Sequence, residues 1–274
     1  TTEADFDGYV KMLKDAGFKR LIFTAKHHDG FCMWPSEYTD FDIEGTEYYK
    51  LYGDPLEAIS TACTKYGMEM GLYLSPWDMH NKDYANDPDT YLDYWINQFK
   101  EITNNSKYGC GGVWKEIWLD GACGSAYVKP EKNLDIKRMF TAIREQCPDI
   151  DISGITGGES LRPDIILSAN EKGASSNDSW QKWACRDCLF YNHGTHLGVT
   201  GYPQVNYEYD EKIRVVTGYP GGNHWSVIES DVSLTPGWFW GKNKAIPKTP
   251  TELRDIYYRS TGHNSVLLIN IPLD

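Results

Sequence analysis

Short apolar runs of strand type alternate with helical segments along this 274-residue chain. Residues 6–17 have apolar side chains at helical spacing, and they precede a strand-type run at residues 21–25. The other runs that predict strands are residues 68–74, 116–120, 151–155, 165–168, 224–232 and 265–271. Strands that alternate with helices form parallel sheets, and seven of them favour a barrel over an open sheet. The sequence therefore predicts an α/β fold, a (β/α)8-like TIM barrel.

Three of the helices between these runs have clear starting signals. Asp54-Pro55 and Asp87-Pro88 each place a capping side chain before a proline of the first turn, and residues 249–252 form a capping box. The first of these helices is predicted to end at Gly67, and another is predicted around residues 139–143. No glycine-rich phosphate-binding fingerprint follows any strand, which weakens the nucleotide-binding alternative.

The chain opens on a helix, so the barrel strand that should precede this helix is expected to be missing. We predict one barrel domain over residues 1–274, truncated at its N-terminus. No apolar run approaches the roughly 18 residues of a membrane-spanning helix.

The charge and the aromatic content narrow the class of partner. A formal net charge of −12 argues against nucleic acid and anionic membranes as main partners, because both repel acidic surfaces. The chain has 10 Trp, 19 Tyr and 9 Phe, which is an unusually high aromatic share. Core packing and an aromatic-lined pocket for a small neutral ligand such as a sugar both explain this share.

Two patterns have the residue types of metal or redox sites. Cys185 and Cys188 form a CxxC pair with no second pair and no histidine at zinc spacing, which favours incidental thiols. His27 and His28 are adjacent, whereas ligands on one strand face need a spacing of two. Hydrogen bonding to a polyhydroxyl ligand is the favoured interpretation of these histidines, with ordinary buried histidines and metal binding as alternatives. We predict no metal and no cofactor.

Polar residues follow three of the predicted strands, at residues 26–31, 73–78 and 118–122. In barrels, the chemistry lies just beyond the C-terminal ends of the strands. Asp120 is the carboxylate in the third of these segments, and it either is catalytic or caps the following loop.

Segments along nearly the whole chain, which include residues 229–233, 236–239 and 262–272, resemble motifs of the glycoside hydrolase family 29 α-L-fucosidases. Residues 24–36 closely resemble the most recognisable family motif, and residues 71–78 resemble the form typical of the branch that acts on α1,3/1,4-fucosides. Residues 116–122 resemble the segment that supplies the nucleophile. Residues 165–173 are similar to a Gly-Asn-Glu-x-Gly motif, with Ala169 replacing its first glycine.

This resemblance implies a retaining exo-α-L-fucosidase that hydrolyses terminal α1,3/1,4-fucosyl linkages through a covalent intermediate. Asp120 is implied as the nucleophile and Glu171 as the acid/base, with Glu229 and Glu159 as alternatives for the acid/base. The residues implied in substrate binding are His27, His28, Tyr73 and Trp118 for the sugar hydroxyls, and Trp225, Trp238 and Phe239 for the C6 methyl side of fucose. Core packing stays the alternative for the aromatic residues.

The partner implied by the resemblance is a fucosylated oligosaccharide or glycoconjugate. Two rival functions stay open: a barrel that binds fucosylated glycans without hydrolysing them because its first strand is absent, and an α-L-galactosidase, since the two sugars differ only at C6. Family members commonly carry a C-terminal β-sandwich, which is expected to be absent here. We expect a secreted or periplasmic location.

Overall fold

The structure is a computed structural model, and it divides the chain into two compact units. It describes residues 4–120, 134–154, 163–167, 171–175, 182–183, 209–210, 215–216, 224–225, 227–241 and 246–272. The first unit contains residues 1–157 with 192–199, and the second contains residues 158–191 with 200–274.

The first unit is built on four parallel strands. They are β1 (Arg20–Lys26), β2 (Glu69–Leu74), β3 (Glu116–Leu119) and β4 (Asp151–Gly154), paired in that order. Leu72 pairs with Phe23 on one side and with Ile117 on the other, and Ile117 pairs in turn with Ile152. Leu72, Ile117 and Ile152 are fully buried, so this row of paired residues runs through the core.

The described residues of the first unit contain six α-helices. They are α1 (Phe6–Asp15), α2 (Glu47–Tyr52), α3 (Pro55–Tyr66), α4 (Asp83–Asn86), α5 (Pro88–Asn104) and α6 (Ile136–Gln146). The Asp54 carboxylate accepts the Leu56 N–H at 2.8 Å, which caps α3. Gly67 ends α3 in the left-handed region at φ +61°. The Asp87 carboxylate caps α5 in the same way.

In the described residues, the second unit contains the remaining strands and one α-helix. They are β5 (Ile165–Leu167), β6 (Lys182–Trp183), β7 (Tyr209–Asp210), β8 (Val215–Val216), β9 (His224–Trp225), β10 (Val227–Ser233), α7 (Pro250–Ser260) and β11 (Val266–Asn270). β10 pairs in parallel with β5 and with β11. The Thr249 and Glu252 side chains form the predicted capping box at the start of α7.

The predicted α/β class is confirmed, since all pairings among β1–β4 and among β5, β10 and β11 are parallel. One prediction is wrong in detail: residues 224–232 are not a single strand. β9 pairs antiparallel with β6, whereas β10 pairs in parallel with its neighbours, so the two segments belong to different ladders. Within the described residues, no helix is long and apolar enough to cross a bilayer.

Candidate active site

Asp120 lies directly beyond the last residue of β3, whose four side chains are all buried. The Tyr73 hydroxyl donates a hydrogen bond of 2.7 Å to Asp120 Oδ2. Tyr73 of β2 pairs in register with Trp118 of β3, which brings it beside Asp120 because the two strands are parallel. The Asp120 side chain keeps 24% of its surface exposed, so a ligand can reach it. A buried strand end therefore presents one accessible carboxylate.

The Tyr73 hydroxyl is a permanent donor to that carboxylate. Burial raises the pKa of the Tyr73 phenol far above its ordinary value, and the Asp120 charge raises it further. The phenol is consequently protonated at neutral pH.

His28, two residues beyond the end of β1, lies close to the same carboxylate oxygen. Its Nε2 lies 3.3 Å from Asp120 Oδ2, and its Nδ1 lies 2.7 Å from the Ser75 hydroxyl oxygen. The indole ring of Trp77 lies against the imidazole, with the two ring centroids 4.6 Å apart. Contacts on three sides thus fix the position of the ring.

His27 begins a row of stacked rings beside Asp120. Its imidazole stacks on Tyr73 with ring centroids 5.5 Å apart, and Tyr73 stacks on Trp118 at 5.1 Å. Burial, together with the neighbouring His28, lowers the pKa of His27 from 6.5 to about 4, although the Asp120 charge opposes this shift. At neutral pH the His27 ring is therefore uncharged, and it can exchange hydrogen bonds with hydroxyl groups as donor or acceptor.

Atoms of His27, His28 and Asp120 lie within 4.8 Å of one another, which is a spacing that could hold a cation. Tyr73 already donates to Asp120 Oδ2, the oxygen that faces His28 Nε2. The Tyr73 hydrogen bond at this oxygen favours the binding of hydroxyl groups over the binding of a cation. The expectation that no metal binds stays a prediction.

A fully buried lysine precedes these histidines, in the polar segment 26–31, and the sequence assigned it no role of its own. Lys26 is fully buried, with its Nζ 2.8 Å from Gln98 Oε1 and 3.3 Å from Asp78 Oδ2. Burial lowers the pKa of the Lys26 ammonium, while the Asp78 carboxylate acts in the opposite direction. The place of Lys26 directly after a predicted strand was visible in the sequence, but its partners lie 52 and 72 residues away.

Glu171 lies in the second unit, and its side chain is exposed. Its backbone takes a left-handed conformation at φ +53°, and its N–H donates to Asp231 Oδ1 at 3.3 Å. Glu171 contributes to a cavity of about 380 Å³, which is also lined by Lys172, Val232, Lys248, Glu252, Asp255, Ile256 and Arg259. Positive side chains thus line the same cavity as the Glu171 carboxylate.

Of the two alternative acid/base candidates, one is buried and the other lies outside the described residues. Glu229 lies on β10 and is only 1% exposed, so its carboxylate is shielded from solvent. Glu159 lies outside the described residues.

The aromatic residues predicted to face the methyl side of a sugar lie in the second unit. Trp238 and Phe239 are 36% and 62% exposed, and the adjacent Trp240, which sequence reasoning missed, is 46% exposed. Trp225 belongs to β9, and the position of its side chain lies outside the description. Asp120, Tyr73, His27, His28 and Trp118 therefore all belong to the first unit. Glu171 and the exposed aromatic segment belong to the second.

Comparison with known proteins gives a single consistent result. The profile of the family described as Alpha-L-fucosidase matches residues 2–274. Alpha-L-fucosidase 1 of Arabidopsis thaliana is 36% identical over 271 residues, covering 99% of this chain and 47% of its own length. The chain thus spans about half the length of this relative.

Solved structures agree with the sequence comparison. A mutant GH29 fucosidase of Ruminococcus gnavus, in complex with fucose, matches at a TM-score of 0.79 and 35% identity, over 99% of this chain and 54% of its own. The protein SpGH29 matches at a TM-score of 0.82 and 33% identity, over 99% of this chain and 55% of its own. This similarity supports the barrel class that was predicted from the sequence.

Proposed function

Because the chain belongs to the α-L-fucosidase family, we propose that it is a glycoside hydrolase that removes terminal α-L-fucosyl groups from glycans. The observation that carries this proposal is the accessible Asp120 carboxylate, which Tyr73 and His28 contact at the end of a buried strand. The Ruminococcus gnavus relative, which holds fucose, supports the choice of sugar.

The reaction proceeds in two steps with retention of configuration. Asp120 attacks the anomeric carbon and forms an ester bond to it as the glycosidic bond breaks, while the Glu171 carboxylic acid gives its proton to the leaving oxygen. Water then adds to the anomeric carbon and passes a proton to the Glu171 carboxylate. The ester bond breaks, which returns the Asp120 carboxylate and releases fucose in the α configuration.

The choice of Glu171 as acid/base rests on access. A proton donor has to reach the glycosidic oxygen, and the Glu171 side chain is exposed whereas that of Glu229 is buried. Glu171→Ala is expected to lose most turnover, and azide should restore turnover of an activated aryl fucoside by forming fucosyl azide. Activity close to that of the unchanged protein would exclude Glu171 from this role.

The aromatic rings have two tasks in this proposal. His27, His28, Tyr73 and Trp118 bind the sugar hydroxyls beside Asp120, because hydroxyl-bearing ligands need donors and acceptors around a stacked surface. Trp225, Trp238 and Phe239 offer apolar faces to the C6 methyl side of fucose.

Hydrolysis is tested directly with the full chain and an aryl α-L-fucoside. The unchanged protein is expected to release the phenol, Asp120→Ala to lose that release, and Asp15→Ala to keep it. Asp15 is a suitable control because its carboxylate pairs with Lys11 on the exposed surface of α1. A chain that binds fucose without release would instead be a glycan-binding barrel.

Linkage preference is proposed as α1,3/1,4 on the basis of residues 71–78. A panel of linear and branched fucosyl-oligosaccharides, with an aryl α-L-galactoside alongside, measures it. Preferred release from α1,3/1,4-linked substrates supports the proposal, while preferred release of L-galactose would replace it.

A further inference from the structure

The Ser75 hydroxyl, directly after β2, makes three hydrogen bonds, two with the Trp77 backbone and one with His28. Ser75 Oγ lies 2.7 Å from the Trp77 carbonyl oxygen and 2.7 Å from His28 Nδ1, and it accepts the Trp77 N–H at 3.1 Å. A serine hydroxyl has one proton to donate and two lone pairs to accept with. These three contacts therefore use the whole hydrogen-bonding capacity of the hydroxyl.

The contacts determine which nitrogen of His28 carries a proton. A carbonyl oxygen has no proton, so the short contact with Trp77 consumes the proton of the Ser75 hydroxyl. Ser75 can then only accept from His28, and the Nδ1 of His28 has to be the donor. The other ring nitrogen, Nε2, is left facing Asp120 Oδ2 at 3.3 Å.

Ser75 is itself held firmly, because it is fully buried and its backbone is bonded on both sides. Its N–H donates to the Lys26 carbonyl at 2.9 Å, and its carbonyl accepts the Trp95 indole N–H at 3.1 Å. The Tyr91 hydroxyl also donates to the carbonyl of Pro76 at 2.9 Å. The hydroxyl of Ser75 is thus presented from a fixed backbone.

We propose that Ser75 is a positioning residue that acts through His28. By accepting the hydrogen bond from Nδ1–H, it sets the tautomer and the ring orientation of His28, and it leaves Nε2 as an acceptor for a sugar hydroxyl bound beside Asp120. The catalytic consequence rests on the proposed fucosidase function, whereas the assignment of the Nδ1 proton does not.

A double-mutant cycle, measured by steady-state kinetics, tests the catalytic part of this proposal. Ser75→Ala is expected to lower kcat/KM for an aryl α-L-fucoside by about tenfold or more, as the loss of one hydrogen bond at a site predicts. In a His28→Ala background, the same change should alter kcat/KM by less than about twofold, because the residue through which Ser75 acts is gone.

Ser60→Ala is the matched control for this cycle. Ser60 is also a fully buried serine, but its hydroxyl bonds to the Leu56 carbonyl within α3, and the change should leave kcat/KM unaltered. Equal losses from Ser75→Ala in both backgrounds would overturn the proposal, since they would mean that Ser75 acts independently of His28.

Nuclear magnetic resonance of the full chain labelled with ¹⁵N-histidine tests the proton assignment without turnover. The His28 signal, identified by its loss in His28→Gln, is expected to report a protonated Nδ1, and Ser75→Ala should change it. An unprotonated Nδ1 in the unchanged protein would overturn the proposal. An inactive chain with a Ser75-dependent, protonated Nδ1 would contradict the fucosidase function and still support the positioning role.

Discussion

At the scale of single residues, Asp120 depends on the side chains that contact it. Tyr73 donates to it from a buried position, and His28 approaches the same oxygen. A hydrogen bond to a charged group contributes about 1.5–3 kcal/mol. The orientation of the carboxylate is therefore sensitive to each of these contacts.

Removing the Tyr73 hydroxyl is expected to reduce catalysis. Tyr73→Phe keeps the stacked ring but leaves Asp120 without this donor, so kcat on an aryl α-L-fucoside should fall by about tenfold or more. Tyr66→Phe is the matched control, because Tyr66 also donates to a carboxylate, that of Asp7, on the exposed surface at 2.8 Å. Full activity in Tyr73→Phe would show that the hydrogen bond does not orient the nucleophile.

His27 makes the stability of the protein depend on pH. Burial lowers the pKa of His27 from 6.5 to about 4. Between pH 6.5 and about pH 4, this side chain is therefore protonated in the unfolded chain and neutral in the folded chain. The stabilisation from a neutral His27 is thus present above pH 6.5 and is lost as the pH falls through this window. Unfolding in urea at pH 7 and pH 5 should show a smaller loss for His27→Gln than for the unchanged protein. Equal losses in both proteins would contradict the assignment.

Sequence reasoning finds the residues that share a strand end and misses those that meet through tertiary packing. His27, Tyr73, Trp118 and Asp120 follow or end consecutive parallel strands, so their proximity could be predicted. Lys26 and Asp78 also lie in strand-end segments, but their burial as a pair and the contact of Lys26 with Gln98 of α5 follow from tertiary packing that no local pattern reveals. The same holds for the hydrogen bonds of Ser75.

At the scale of elements, the buried ion pair of Lys26 and Asp78 connects β1 with the segment that follows β2. Lys26 and Asp78 are both almost wholly buried, and the Asp78 carboxylate also accepts the N–H groups of His80 and Asn81. Gly30 fits against this segment because an added Cβ would lie 2.2 Å from Asp78 Oδ1. The pair thus fixes the backbone that carries Ser75 and Trp77.

Breaking this pair on one side is expected to destabilise the protein strongly. Lys26→Met leaves the buried Asp78 carboxylate without its counter-charge, at a cost of about 3 kcal/mol or more. Adding Asp78→Asn should recover part of that cost, because the buried charge is then removed. Urea unfolding measures both variants, and Lys65→Met, at the exposed pair with Asp7, should change the stability little. Strictly additive costs at Lys26 and Asp78 would show that the two groups do not interact.

The boundaries of helices are predicted better than those of strands, and the reason is local. The caps at Asp54, Asp87 and Thr249 act within three residues, so sequence alone locates α3, α5 and α7. The division between β9 and β10 depends on pairing with β6, about 40 residues earlier in the chain, and no local signal reveals it. The short helices α2 and α4 were not predicted either.

At the scale of the whole molecule, the aromatic residues divide between the core and the surroundings of the candidate site. Trp34 and Trp95 are fully buried and belong to the core, whereas Trp118 is buried beside Asp120 and Trp238 is exposed. The chain spans about half the length of its relatives, so the activity of the full chain is a matter for measurement. A single-domain barrel and a secreted or periplasmic location stay predictions.

The central claim is that Asp120 forms a covalent bond to the sugar, and trapping that bond tests it most directly. A 2-deoxy-2-fluoro-α-L-fucosyl fluoride slows the second step of a retaining mechanism, so the full chain should accumulate a fucosyl ester. Digestion and mass spectrometry are expected to find the added mass on the peptide that contains Asp120, and Asp120→Asn should carry no label. A label on another carboxylate, or rapid hydrolysis with no covalent species, would contradict the account.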